Sequence, residues 1–289
     1  MLSYRWLAVA LSASSLLQTA VAGCLSDAQV SEMAQRMADA KPAANIEGLT
    51  DDEGACTRNK LTKILATRQG KLVGYKAGLT HAATQKRFDT DRPVWGKLYE
   101  NMMLANGATV PAQFAARPVF ESDLLVRVSN ERINQARTPE DVLAAIDQVL
   151  PFIELPDGVV QDPLTLNGAG VSAINVGARL GVVGEPIATP AGATERRALL
   201  VALRDMSVMV SDGSGAALNV AQGRAILGHP LNAVVWLAQA LAEEGLAMKP
   251  GDLISLGAFS PQMPPQPGQQ IRVTYIGLPG AMPVQVNFN

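Results

Sequence analysis

The chain has 289 residues, 48% of them hydrophobic and 17% charged, a composition that sustains a sizeable core and excludes a largely disordered or low-complexity protein. The formal net charge is −2, no run of like charges occurs and aromatics make up only 4%. Neither the electrostatic footprint nor the stacking platform of a nucleic-acid binder is therefore present.

Residues 1–22 read as a secretory signal peptide: Arg5 supplies the charged start, an apolar stretch covers residues 6–17, and Ala20-Val21-Ala22 offers small residues for cleavage. The stretch is too short and too interrupted for a membrane span. The mature chain then starts near Gly23 and works in the periplasm or outside the cell. Cys24 and Cys56 are the only cysteines, and in an oxidising compartment the simplest reading joins them in a disulfide. The alternative is a lipoprotein box over residues 21–24, with a lipid on Cys24 and Cys56 left free.

Helical spacing of Val30, Met33 and Met37, then of Leu61, Ile64 and Leu65, predicts two short helices around a loop at 45–54, forming an N-terminal helical cap over residues 23–70. No Pro-, Gly- or Ser-rich linker divides the remainder, which argues for one domain over 71–289. KLVGYKAGLT, 71–80, reads as a strand running into a glycine-bounded turn, and 82–87 as a short helix. A strand over 119–128 leads to a helix between 138 and 150, signalled by Thr138 as cap, Pro139 in the first turn, and Val142, Ile146 and Val149 on one face. PFIELPD, 151–157, reads as a buried strand. Residues 206–210 before Asp212-Gly213-Ser214-Gly215 give a hairpin signal, 230–244 a helix stopped by Gly245, and 253–256, 271–276 and 284–288 three closing strands. Runs of strands with few interleaved helices predict an α+β fold with an antiparallel or mixed sheet.

Within FESDLLVRV, 120–128, residues two apart share a face of the strand, so Glu121 and Asp123 project side by side. Two buried carboxylates that close repel, and one stays protonated unless a cation lies between them. Glu154 is a third acid, set among apolar neighbours. Three carboxylates suit Mg²⁺ or Mn²⁺ better than zinc, which prefers the histidine and cysteine this chain has little of. The same spacing also describes an ordinary polar face turned to solvent, and the pattern alone leaves both readings open.

Five stretches, GYKAGLT (74–80), ARPVFESD (116–123), PFIELPD (151–157), LGHPLNAVVWLAQAL (227–241) and KPGDLISLGAFSP (249–261), occur in an order that resembles the fumarylacetoacetate hydrolase superfamily, in its branch of 2-keto-4-pentenoate hydratases and 4-oxalocrotonate decarboxylases. The resemblance implies a mixed β-roll and a divalent metal, Mg²⁺ or Mn²⁺, held by Glu121, Asp123 and Glu154, with Lys76 of the GYK turn as the catalytic lysine that shuttles a proton or pairs with the substrate carboxylate. It implies a lyase of the hydratase type, acting on a small 2-oxo or 2-hydroxydienoic acid through a metal-stabilised enolate, and a homo-oligomer.

Departures from the branch are equally specific. RPVWG (92–96) places Val94 where the branch carries an acid, NVGAR (175–179) falls about where a serine is expected, and Leu256 stands for a threonine. They keep open a second reading, a periplasmic binding or scaffold protein of the same fold that has lost turnover. Acylpyruvate-type hydrolysis or decarboxylation of a 2-oxo acid is a further alternative. For hydrolysis the histidines give no support: His81 follows a turn, where it caps or faces solvent, and His229 precedes Pro230 at a helix start.

Overall fold

Residues 23–289 are described by the structure, a computed structural model, and the expected signal peptide over 1–22 lies outside them. Ser26 and Thr50 each begin a helix with a reciprocal capping box. Thr50 Oγ1 accepts from the Glu53 N–H at 3.4 Å, and Glu53 Oε2 accepts from the Thr50 N–H at 2.8 Å. The helices so started span Asp27–Ala38 and Asp51–Gln69. The expected loop at 45–54 is thus cut short. Thr-Asp-Asp-Glu satisfies the first free N–H groups and sets three acids against the positive helix end. A disulfide joins Cys24 to Cys56, tying the start of the described chain to the second helix.

The larger sheet orders its strands Val94–Tyr99, Leu72–Gly78, Leu253–Ser255, Glu121–Val128, Ile146–Leu155, Leu180–Val183 and Met103–Ala105, with Ile187–Ala188 also paired to Ile146–Leu155. It is mixed: Leu72–Gly78 runs parallel to Leu253–Ser255 and antiparallel to Val94–Tyr99. The smaller sheet orders Ala217–Gln222, Ser207–Asp212, Gln270–Ile276, Val284–Phe288 and Thr109–Val110. The expected hairpin and closing strands are all in place, and the fold is α+β with mixed sheets.

The helix expected over 138–150 is corrected to Pro139–Leu143, and the strand expected at 151–157 begins earlier, as Ile146–Leu155. Thr138 and Pro139 do start the helix. Ile146, Val149 and Leu150, however, pair with Val128, Val126 and Leu125 across an antiparallel ladder, and that pairing overrides their local helical spacing. The helix expected over 230–244 is present as Asn232–Glu243.

Alternation along Glu121–Val128 divides two cores. Leu124 and Val126 join the cluster containing Val210, Leu237 and Val273, whereas Leu125 joins the cluster of Leu61, Leu65 and Phe152 under the N-terminal helices. Glu121 and Asp123 share the face of Leu125. They therefore lie beneath the helical layer.

Candidate active site

Glu121 stands opposite Glu154 in the ladder, and Asp123 opposite Phe152. Exposure is 8% for Glu121, 0% for Asp123 and 3% for Glu154, which removes the solvent-facing reading. Lys76, also buried, comes from the Leu72–Gly78 strand; its Nζ ion-pairs with Glu154 and donates to the Val176 carbonyl at 3.0 Å. One ammonium faces three carboxylates. Burial, reinforced by the charge of Glu154, pushes Glu121 well above the usual carboxylate range. Burial also pushes Asp123 up to about 7, against the lowering pull of the Ser255 hydroxyl and the Leu124 N–H.

The three acids are not equivalent. Glu121, Glu154 and Lys76 open on one cavity of about 300 Å³, which Asp123 does not line. Asp123 Oδ1 accepts from the N–H groups of Leu124 at 2.6 Å and Leu256 at 3.2 Å, and Oδ2 accepts from the Ser255 hydroxyl. Among the described residues no three acidic, histidine or cysteine side chains converge as a ready ligand cage. Asp123 is turned to its own donors and Glu154 to Lys76. A fourth acid lining the cavity, Asp157, is saturated by the N–H groups of Arg117 and Val159, each at 2.9 Å, and serves the turn.

Several contributors are beyond sequence reach. The Tyr275 hydroxyl, from the smaller sheet, accepts from the Phe152 N–H at 3.1 Å and donates to the Asp123 carbonyl, so it sits between the two acid-bearing strands beside Pro151, which has no N–H to give. Asn175, Val176 and Gly177 form a left-handed turn with φ of 56°, 54° and 65°. For the β-branched Val176 that conformation is unfavourable. Asn175 holds it by gripping Lys97: its Oδ1 accepts from the Lys97 N–H at 2.7 Å and its Nδ2 donates to the Lys97 carbonyl at 3.0 Å. The turn thereby aims the Val176 carbonyl at Lys76.

His81 does occupy the N-cap position of the short helix Ala82–Arg87, and it is half-buried rather than solvent-facing. It makes no side-chain cap bond; its Nε2 lies 2.7 Å from the Ala258 carbonyl and its ring lines the cavity. His229 is a turn residue as expected, with Nδ1 accepting from the Leu231 N–H and Nε2 donating to the Leu200 carbonyl, both at 3.1 Å.

Val94 pairs with Gly78, and a Cβ on Gly78 would meet Val176 Cγ1 at 2.4 Å and Val94 Cγ2 at 3.7 Å. The missing side chain of Gly78 is what lets the two valines converge near Lys76. Asp51, an acid in the adjoining cleft that Val94 also lines, is ion-paired to Arg92.

No family model matches the chain. A 2-keto-4-pentenoate hydratase of Paraburkholderia xenovorans (strain LB400) is 27% identical over 240 residues, covering 81% of this chain and 85% of the relative. The solved 4-oxalocrotonate decarboxylase of Pseudomonas putida G7, complexed with magnesium and adipate, superposes with a TM-score of 0.77 at 25% identity, over 93% of this chain and 100% of that one. A yeast fumarylacetoacetate hydrolase family protein shares the fold at a TM-score of 0.52 and 14% identity, over 74% of this chain and 91% of that one. The mixed two-sheet fold is thus similar to that of the fumarylacetoacetate hydrolase superfamily. In sequence the chain is similar to the 2-keto-4-pentenoate hydratases and 4-oxalocrotonate decarboxylases of that superfamily.

Proposed function

We propose that the protein is a metal-dependent lyase of the hydratase type, acting on a small 2-oxo or 2-hydroxydienoic acid, with Glu121, Asp123 and Glu154 as ligands of Mg²⁺ or Mn²⁺ and Lys76 as the catalytic proton carrier. The observation that carries this reading is the burial of three carboxylates on one face of two paired strands with a single lysine to balance them. The residues fit a hard dication. All their donors are carboxylate oxygens, and burial, with the charge of Glu154 added to it, holds Glu121 and Asp123 toward their neutral forms, a cost that a bound dication would offset. When bound, the ion supplies a Lewis acid toward the oxygens of the 2-oxo acid.

The chain's own residues do the rest. Lys76 Nζ, oriented by the Val176 carbonyl, exchanges a proton with the substrate at the cavity floor, and the apolar lining there excludes water from it. Ser255 and the N–H groups of Leu124 and Leu256 fix the Asp123 carboxylate. Residues 23–70 act as a covering segment and 71–289 as the catalytic-type domain.

Support for a location in the periplasm or outside the cell comes from the signal-like residues 1–22 and from the disulfide. Among the described residues no helix is long and apolar enough to cross a membrane. A homo-oligomer is supported by the edge strand Ala217–Gln222, which exposes Leu218 and Val220 and carries neither charge nor proline.

A second reading, a binding protein that has lost turnover, is favoured by the apolar meeting of Val94 and Val176 over Gly78. One experiment separates them: absorbance-monitored consumption of 2-hydroxypenta-2,4-dienoate with added Mg²⁺ or Mn²⁺. Metal-dependent loss of the dienoate band supports the lyase. Metal binding without turnover of this or any related 2-oxo acid favours the binding protein.

A further inference from the structure

Resting on the 2-oxo acid reading above, we infer that this protein's substrate carries an apolar chain longer than the five carbons of a pentadienoate, and that Leu79, Phe88, Leu166, Val171, Ile174 and Val176 hold that chain. The cavity has two unlike parts. Glu121, Glu154 and Lys76 contribute the charged floor, while those six apolar residues make a continuous wall on the side of the turn at Asn175–Gly177. Four wall residues are fully packed from behind, with exposures of 5% for Leu166, 8% for Val171, 3% for Ile174 and 8% for Val176. Their remaining surface faces the cavity.

Val176 carries this wall to Lys76, whose ammonium donates to its carbonyl at 3.0 Å. Gly78 makes room for the Val176 isopropyl group, which a Cβ would strike at 2.4 Å. An apolar group admitted at the cost of a left-handed valine is a feature of the site, and apolar surface gains free energy only by covering apolar surface. A bare five-carbon acid has eight heavy atoms. At about 300 Å³ the cavity is at the low end for small-molecule sites, yet has room for more than that. Arg87 is the cation at the rim, exposed and 5.5 Å over the Phe88 ring, so it closes the wall rather than breaking it.

The test is calorimetric binding of 2-oxopentanoate, 2-oxohexanoate, 2-oxoheptanoate and 2-oxooctanoate to the Mg²⁺-loaded full chain, with 2-oxoadipate as the dianionic control. Affinity is expected to rise about three- to fourfold per added methylene until the wall is covered, from roughly 0.8 kcal/mol per buried CH₂. Leu166→Asn is expected to flatten that rise. If 2-oxopentanoate binds but the longer acids bind no better, the inference fails and the lyase reading stands. If 2-oxoadipate binds more tightly than 2-oxohexanoate, Arg87 recognises a second carboxylate and the apolar assignment is overturned. If none of these acids binds, the 2-oxo acid reading falls, and this inference with it.

Discussion

Tyr275→Phe removes one oxygen atom that belongs to no proposed ligand or catalytic residue, yet it should be felt in both stability and metal affinity. The hydroxyl is buried, and burial pushes its ionisation far above the ordinary range, so it stays a neutral donor and acceptor. It accepts from Phe152 N–H and donates to the Asp123 carbonyl. Losing two buried hydrogen bonds costs about 1–1.5 kcal/mol each, and a backbone group left unsatisfied raises the cost toward 1–3 kcal/mol, so a total of about 3 kcal/mol is expected. Urea unfolding followed by circular dichroism reads that loss. The ladder can relax only by drawing Asp123 toward Phe152, which shifts the carboxylate held by Ser255 and Leu256 and should weaken Mn²⁺ binding. A variant within 0.5 kcal/mol of wild type, on the order of surface substitutions, and with undiminished Mn²⁺ affinity would refute the role given to this hydroxyl.

Reduction, or Cys56→Ser, opens a bridge of sequence separation 32. The chain-entropy relation gives ~3.7 kcal/mol for a loop of that size, so the urea midpoint should fall clearly under reducing conditions; an unmoved midpoint contradicts a stabilising disulfide. His229 is held below its ordinary 6.5, first by burial and then by Arg204, against the raising pull of the Leu200 carbonyl, Glu140 and Asp205. The unfolded chain therefore takes up this proton first, and the stability that neutral His229 contributes is complete above 6.5 and is lost as pH falls from there through the depressed folded value. Wild type should lose stability relative to His229→Gln between pH 7.5 and 5, and a constant difference across that interval would show that the ring does not titrate this way. Asn175→Ala should free the turn that aims the Val176 carbonyl, lowering kcat more than it raises KM; the reverse split would assign Asn175 to substrate binding.

What could be read from the chain was whatever rests on local period and chemistry. The two-residue spacing of Glu121 and Asp123 places them on one face, and the apolar setting of Glu154 announces its burial, because both are properties of a single strand. Which way the face turns was not legible, since the covering helices lie more than fifty residues away in sequence. The helical spacing of Val142, Ile146 and Val149 misled for the same reason: their partners, Val126 and Val128, come from another strand. The start of the Asp51–Gln69 helix is written locally in Thr-Asp-Asp-Glu, the capping sequence that shortens the expected loop. Tyr275, Ser255 and the Val176 carbonyl reach the site only through tertiary packing, from 100 or more residues away from the groups they bind.

The central claim is that Glu121, Asp123 and Glu154 together hold a divalent ion, and titration calorimetry of Mn²⁺ into wild type, Glu121→Ala and Glu154→Gln tests it most directly. Wild type should take up one ion per chain, and both variants should lose that binding while keeping the wild-type circular dichroism spectrum. Equal Mn²⁺ uptake by all three proteins would contradict the claim and return the buried acids to a structural network around Lys76.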